Sequence, residues 1–160
     1  MKNLVLRDMS EEDIEFVHFV RNHDMTRSFL KRSEEISFEE TSLWFREKKP
    51  NWLIIESESK KVGYLRTSCD SGESICIGCD IHPSYRRMGY AESAYEQLIQ
   101  RLYDKNYVLI WLEVFEDNNA AKKLYYKLGF IDLGYKVVDS RKYVTMAHVR
   151  QNLIKDKNND

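Results

Sequence analysis

The residues with the most chemical content form one junction, Ile81-His82-Pro83-Ser84-Tyr85-Arg86-Arg87-Met88-Gly89-Tyr90-Ala91. An apolar strand runs into it and an apolar-striped helix leaves it. Amide N–H groups at a helix N-terminus point outward with partial positive charge, so such a turn holds an anion. Gly89 has no side chain to block an anion's approach to the backbone, and Arg86 and Arg87 add charge. The site suits a pyrophosphate. The pattern is neither the nucleotide loop G-x-x-x-x-G-K-[ST] nor the dinucleotide G-x-G-x-x-G. Taken alone, it reads equally well as a basic turn into an ordinary surface helix.

Downstream, Val114 and Phe115 close a strand, Glu116 and Asp117 make a polar turn, and Asn118 opens a helix that Gly129-Phe130 ends. Read plainly, this is a capped amphipathic helix that packs Ala121, Leu124, Tyr125 and Leu128 on a sheet.

The elements around these two segments follow from the hydrophobic periods. Residues 3–6 predict a strand. Ser10-Glu11-Glu12-Asp13 resembles a capping box that starts a helix, and Ser37-Phe38-Glu39-Glu40 starts a second. Residues 21–35 between them lack periodicity and predict a connection with one helical turn at most. Strands are predicted over 52–56, 62–67 and 74–82, the last with Ile75, Ile77, Cys79 and Ile81 on one side. A helix follows over 89–103, with one apolar stripe from Ala91 to Tyr103. Residues 107–115 are almost unbroken apolar, as in a strand buried on both faces. A short helix over 118–128 and two closing strands, 130–138 and 142–149, complete the order β-α-α-β-β-β-α-β-α-β-β. This order predicts an α/β fold: a mixed sheet of about seven strands with four helices on both faces. Residues 1–151 are expected to form one domain and 152–160 a polar, frayed tail.

The two segments together resemble the GNAT superfamily of acetyl-CoA-dependent N-acetyltransferases. Arg86, Gly89 and Ala91 match its Q/R-x-x-G-x-G/A signature. Asn118, Ala121, Leu124, Tyr125, Lys127, Leu128, Gly129 and Phe130 match its N-x-x-A-x-x-L-Y-x-K-L-G-F element. The resemblance implies a GNAT-like fold with acetyl-CoA as acyl donor. By the same resemblance, Arg86, Arg87, Met88, Gly89, Tyr90 and Ala91 hold the CoA pyrophosphate, largely through backbone N–H groups. The strand end around Cys79 and Ile81 splays from its neighbour and binds the pantetheine arm like an added strand, with Ile81 donating. Asn118 contacts the cofactor, and Tyr125 lies beside the CoA sulfur.

That chemistry suits the residue types. A neutral amine attacks the thioester and a thiolate leaves. A phenol of pKa about 10 is protonated at neutral pH and can give its proton to that thiolate. A backbone N–H on the splayed strand is the natural donor to the oxyanion. Tyr126 is the reserve acid if the helix register is off by one. For the base, Asp80, Glu113 and His82 stand near suitable strand ends, and a water relay serves equally well.

Arg21-Asn22-His23, Arg27, Ile36-Ser37, Glu39-Glu40 and Trp44-Phe45 are similar to acetyltransferases acting on nucleotide-linked 4-amino sugars, as in pseudaminic acid pathways. This looser resemblance implies that Asn22 and His23 contact the acceptor. The chain departs from that pattern at His23-Asp24 and at Thr41, where a histidine often stands. Read without it, Arg21 and Asp24 cap and pair at a helix end.

Composition bounds the alternatives. In 160 residues, 25 Lys plus Arg oppose 26 Asp plus Glu, a formal net charge of -1. This disfavours a general nucleic-acid binder and gives no global steering toward polyamines. No stretch approaches the roughly 20 apolar residues of a membrane span. The start, MKNLVLRDMSEED, has no signal-peptide core. Cys69, Cys76 and Cys79 are three, an odd number. Both features predict a cytoplasmic chain. Cys76 and Cys79 are three apart on a strand and point to opposite faces, so no metal site is expected. Other acceptors in view are protein N-termini, aminoglycosides and polyamines. The reading from another class is a non-catalytic acyl-CoA-binding module. An exposed strand edge near the C-terminus would allow a homodimer.

Overall fold

A computed structural model of the chain describes residues 3–150. The expected tail, 152–160, lies outside them. Among the described residues there are seven strands, five α-helices and two short 3₁₀ turns, one α-helix more than expected. The strands are β1 (Val5–Asp8), β2 (Leu53–Ser57), β3 (Lys60–Ser71), β4 (Ser74–Ile81), β5 (Leu109–Phe115), β6 (Ile131–Val138) and β7 (Arg141–Val149). The helices are α1 (Ile14–Asn22), α2 (Asp24–Arg27), α3 (Phe38–Lys48), α4 (Tyr90–Asp104) and α5 (Asn119–Lys127). The extra helix is α2, the single turn within the connection. The sheet order is β1-β2-β3-β4-β5-β7-β6. Its β4–β5 pair is parallel, while β1–β2, β2–β3, β5–β7 and β6–β7 are antiparallel. The expected mixed sheet is therefore present.

The chain divides into two compact units: residues up to Thr67 with Gly78–Tyr95, and Ser68–Ile77 with Glu96 onward. In the first, Ile14, Val17 and Val20 of α1 pack with Ile54 and Tyr64, and Trp44, Phe45 and Trp52 close over them. Consecutive residues Ile54-Ile55 and Tyr64-Leu65 are all fully buried. Successive strand residues face opposite ways, so both faces of β2 and β3 are covered.

A buried ionic knot fixes the start of α1. Asp13 is completely buried, and its carboxylate meets Arg7 Nη1 at 2.7 Å, Lys61 Nζ at 2.7 Å and the Ser10 N–H at 2.9 Å. Arg7 also reaches Glu56 at 2.8 Å. Burial opposes ionisation of Asp13, but these donors outweigh it and hold its pKa far below the usual carboxylate range. The expected first helical turn is a 3₁₀ turn, Glu11–Asp13, ahead of α1, and the expected capping box at Ser10 and Asp13 is present.

In the second unit, Met146 and Ala147 of β7 are both fully buried. His148 follows them and joins three elements. Its Nδ1 takes a hydrogen bond from the Tyr103 hydroxyl on α4, and the ring bonds the Leu128 carbonyl past α5.

Candidate active site

β4 belongs to both units, with Ser74–Ile77 in the second and Gly78–Ile81 in the first. Pairing with β5 covers Ser74–Cys76 against Leu109–Trp111 and stops, while β4 continues to Ile81. Ile75 and Ile77 are buried as the alternation predicts, but Cys79 and Ile81 are half-buried. Surrounding protein, and then Asp80, push the Cys79 thiol pKa up. This makes it a poor nucleophile.

His82 ends the strand. Its N–H donates to the Val62 carbonyl (2.9 Å), and its Nδ1 accepts the Ser84 N–H (3.2 Å), capping a 3₁₀ turn at Pro83–Tyr85. Arg87 (φ 58°) and Gly89 (φ 82°) then take left-handed conformations on either side of Met88. Alternation of this kind turns successive amides to one side and makes an anion-binding concavity. A Cβ on Gly89 would meet nothing within 4 Å. Glycine is needed there for its φ, and the space over it is open to a ligand. The first bond of α4 runs from the Ser93 N–H to the Gly89 carbonyl (3.2 Å), so the helix itself does not use its first-turn amides.

One expectation changes here. Arg86 does not point outward as loose charge. Its Nε donates to the Ile81 carbonyl (3.1 Å) and its Nη2 to Oγ1 of buried Thr26 on α2 (2.6 Å). Arg86 therefore ties the end of β4 to α2. Burial lowers its pKa, opposed by Asp80 and then Tyr64. Arg87 and Met88 remain exposed, Ala91 is half-buried, and the Tyr90 ring meets Tyr85 edge-on at 6.0 Å.

Inside the same unit, Arg66 Nε lies 2.9 Å from Asp80 Oδ2, off line for a hydrogen bond. The Arg66 guanidinium lies over Gly78, where an added Cβ would meet Nη2 at 2.7 Å. Tyr64 is fully buried with its hydroxyl against Asp80. Burial, then Asp80, push that phenol well above its ordinary pKa.

Each candidate base is thus engaged. Asp80 is held by Arg66, and Glu113 by Lys136 in the second unit. His82 has Nδ1 on the Ser84 amide, so its neutral ring carries the proton on Nε2 and presents a donor. Burial, His23 and Arg86 lower its pKa, in that order of size, which keeps it neutral at pH 7. Among the described residues no group of three or more His, Cys, Asp or Glu could hold a metal.

The second unit explains the Asn118–Phe130 pattern. Asn118 caps α5, its Oδ1 accepting the Ala121 N–H at 3.2 Å. At the other end the Phe130 N–H bonds the Tyr125 carbonyl (3.0 Å) and the Gly129 N–H bonds the Tyr126 carbonyl (3.1 Å). With Gly129 at φ 92°, this is a Schellman closure. Its usual apolar contact is the Tyr125–Phe130 ring pair, with centroids 5.8 Å apart. Tyr126 is exposed and donates its hydroxyl to both Asp132 oxygens at 3.0 Å, which raises its pKa. Its proton is committed to that carboxylate.

Asn22 and His23 hold the backbone. Asn22 Nδ2 donates to the Ile36 carbonyl (2.8 Å), and its Oδ1 accepts the Ile36 N–H (3.1 Å). His23 Nδ1 accepts the Met25 N–H (3.3 Å) and caps α2. Both side chains therefore serve the loop in this structure, where the sugar-enzyme resemblance implied acceptor contact. The bracing by Arg86 had no signal in the sequence, because Thr26 lies sixty residues away from it.

The mixed seven-stranded sheet, with β4 running on into the left-handed turn before α4, is an acetyltransferase-like fold. The chain belongs to the acetyltransferase (GNAT) family, whose model matches residues 17–130. It is 30% identical over 76 residues to the [ribosomal protein bS18]-alanine N-acetyltransferase of Escherichia coli K12, covering 48% of this chain and 51% of that one. The chain thus spans about half the length of such curated relatives. An acetyltransferase of Pectobacterium atrosepticum is 28% identical over 97 residues, 58% of this chain and 69% of its own. In fold, the chain is similar to the Vibrio cholerae spermidine N-acetyltransferase solved with CoA and spermine. The TM-score is 0.86 at 19% identity, over 94% of this chain and 98% of that one. A Salmonella typhimurium acetyltransferase solved with acetyl-CoA gives 0.76 at 14% identity, over 92% and 94%. No helix of the described residues is long and apolar enough to cross a membrane.

Proposed function

We propose that this protein is an acetyl-CoA-dependent N-acetyltransferase that acetylates a primary amine on a nucleotide-linked amino sugar. The observation that carries the donor half is the end of β4: a strand edge beyond its last β5 pair, followed by the left-handed turn at Arg87 and Gly89 into α4. The strand edge suits the amide-bearing pantetheine arm, and the turn suits the pyrophosphate. Acetyl-CoA, when bound, supplies the activated acyl group.

The chain's residues then do the following. Backbone amides of residues 86–91 hold the phosphates. A β4 amide near Ile81 stabilises the oxyanion. As the amine's C–N bond forms and the C–S bond breaks, the Tyr125 phenol gives its proton to the departing sulfur. With Asp80, Glu113 and His82 engaged, the amine proton leaves through water to solvent, and solvent reprotonates Tyr125. Positioned acids of this kind contribute about 10²–10⁴-fold.

The sugar reading is supported by the segment from Arg21 to Phe45, whose loop is pinned by Arg21 and Asn22. The second reading, acetylation of a protein N-terminus, is favoured by the identity to the bS18-alanine enzyme. The test is thiol release from acetyl-CoA against UDP- and dTDP-linked 4-amino sugars, N-terminal peptides and polyamines. Turnover restricted to sugars supports the proposal. Turnover restricted to peptides replaces it with the second reading, and CoA binding without turnover on any amine removes the enzyme.

A further inference from the structure

A cavity of about 230 Å³ opens between α1, α3 and the start of β2, lined by Val17, Arg21, Arg32, Glu40, Trp44 and Trp52 among others. Two of its walls are flat. The Trp44 and Trp52 rings are 4.6 Å apart and tilted by 52°. Behind Trp52, Tyr64 stacks in parallel at 5.4 Å, and its hydroxyl lies against Asp80 on β4. The cavity therefore backs onto the strand end assigned to the acyl donor.

Its charge is unbalanced. Arg27 pairs with Asp24 and Glu35, and Arg32 pairs with Glu40 at 2.6 Å. Arg21 has no carboxylate at ion-pair distance among the described residues. It donates to the Asn22 Oδ1 and to the carbonyls of Glu34 and Arg32, all neutral acceptors. A guanidinium has five N–H groups, so these three bonds leave two to offer. Burial lowers its pKa, as do the neighbouring Arg32 and Arg27, against support from Tyr64 and Glu40. A partly buried cation without an acid beside it is costly, and a ligand anion would relieve that cost.

We propose that this cavity recognises the acceptor through an acidic group on a compact ring-shaped body, with Arg21 binding the anion and Trp44 and Trp52 stacking on the ring. The word acceptor rests on the transferase reading above; anion binding in the cavity does not. The same charge argues against a polyamine here, whatever the fold shares with spermidine enzymes.

The test uses isosteric probes: 4-(aminomethyl)benzoate, 4-(aminomethyl)phenylphosphonate and neutral 4-(aminomethyl)benzamide. Binding is read by quenching of Trp44 and Trp52 fluorescence, and turnover by thiol release with saturating acetyl-CoA. The anions should bind about tenfold more tightly than the amide, the worth of one charge-assisted bond. The better of the two tells carboxylate from phosphate recognition. Arg21→Met should bring the ratio to about one. Because Arg21 also pins the loop, Glu40→Gln gives the decisive control. It frees Arg32, should raise the anion preference about two- to threefold, and a folding defect would not do that. Equal binding of anion and amide, or a preference that neither variant moves, overturns the inference. Absence of turnover with anion-selective quenching intact would strike the transferase reading alone.

Discussion

Arg86 is where the sequence and the structure assign different work to one residue, and a single pair of variants separates them. As a phosphate ligand, Arg86 would contribute to acetyl-CoA affinity and little else. As the structure has it, Arg86 bonds the Ile81 carbonyl and the Thr26 hydroxyl, tying β4 to α2. Arg86→Met deletes both bonds and strands the hydroxyl of Thr26, which is only 4% exposed. Bonds from a charged donor are worth about 1.5–3 kcal/mol each. At this half-buried position the lower end applies, giving a loss of about 3 kcal/mol for the pair. In a chain of this size that is a fall in Tm of roughly 6–12 °C. Arg87→Met removes an exposed side chain and should leave stability within about 0.5 kcal/mol, while raising the KM for acetyl-CoA most at low salt. Urea unfolding followed by circular dichroism checks this, provided the m-value is unchanged. If Arg86→Met unfolds within about 0.5 kcal/mol of the wild type and its KM rises as that of Arg87→Met does, the bracing account is wrong.

Tyr125→Phe should lower kcat by about 10²–10⁴-fold with CoA binding unchanged, while Tyr126→Phe should leave kcat as it was; stopped-flow thiol release reads both. Asp13→Ala leaves Arg7 and Lys61 facing a buried gap and should cost about 3–5 kcal/mol in urea unfolding. Since the folded pKa of Asp13 lies below its unfolded value, its contribution is full above pH about 4 and is lost as pH falls further. His148 also has a lowered folded pKa, from burial set against its bond to Leu128. Its contribution is therefore full above pH about 6.5 and is lost as pH falls, by up to about 1.4 kcal/mol per pH unit. His148→Gln should flatten that slope between pH 7 and 5 relative to the wild type, in thermal melts across the range.

What could be read beforehand was what depends on local pattern. The stripe of α4 is periodic, the run of β5 is continuously apolar, and Gly129 is a local stop, so these elements fall within a residue or two of their predicted bounds. The hairpin turns are narrower than the sequence predicts, for a specific reason. Glu58-Ser59 and Asp139-Ser140 are two-residue turns with both residues left-handed, at φ between 49° and 63°. Such turns usually carry Asn or Gly, so nothing in their composition marks them. The site divided in the same way. The glycine turn into α4 and the capped helix α5 are continuous stretches, and local pattern marks both. The holding of Ile36 by Asn22, of Thr26 by Arg86 and of Asp80 by Arg66 depends on side chains distant in sequence, which no local pattern marks.

This division also changes what the Asn118–Phe130 pattern can mean. Asn118, Gly129 and Phe130 are all accounted for by starting and closing α5, and Tyr125 supplies the ring that packs on Phe130. A module that merely bound acyl-CoA would need the same cap and could keep the same letters. Packing against Phe130 calls for an aromatic ring at position 125, however, and phenylalanine would meet it at no cost in hydroxyl desolvation. The cap does not require that hydroxyl, and the hydroxyl of Tyr126 is bonded to Asp132. On the proposed mechanism the acid is the Tyr125 oxygen: Tyr125→Phe should keep the fold and the affinity for CoA and lose the turnover, and unchanged turnover would remove Tyr125 from that role.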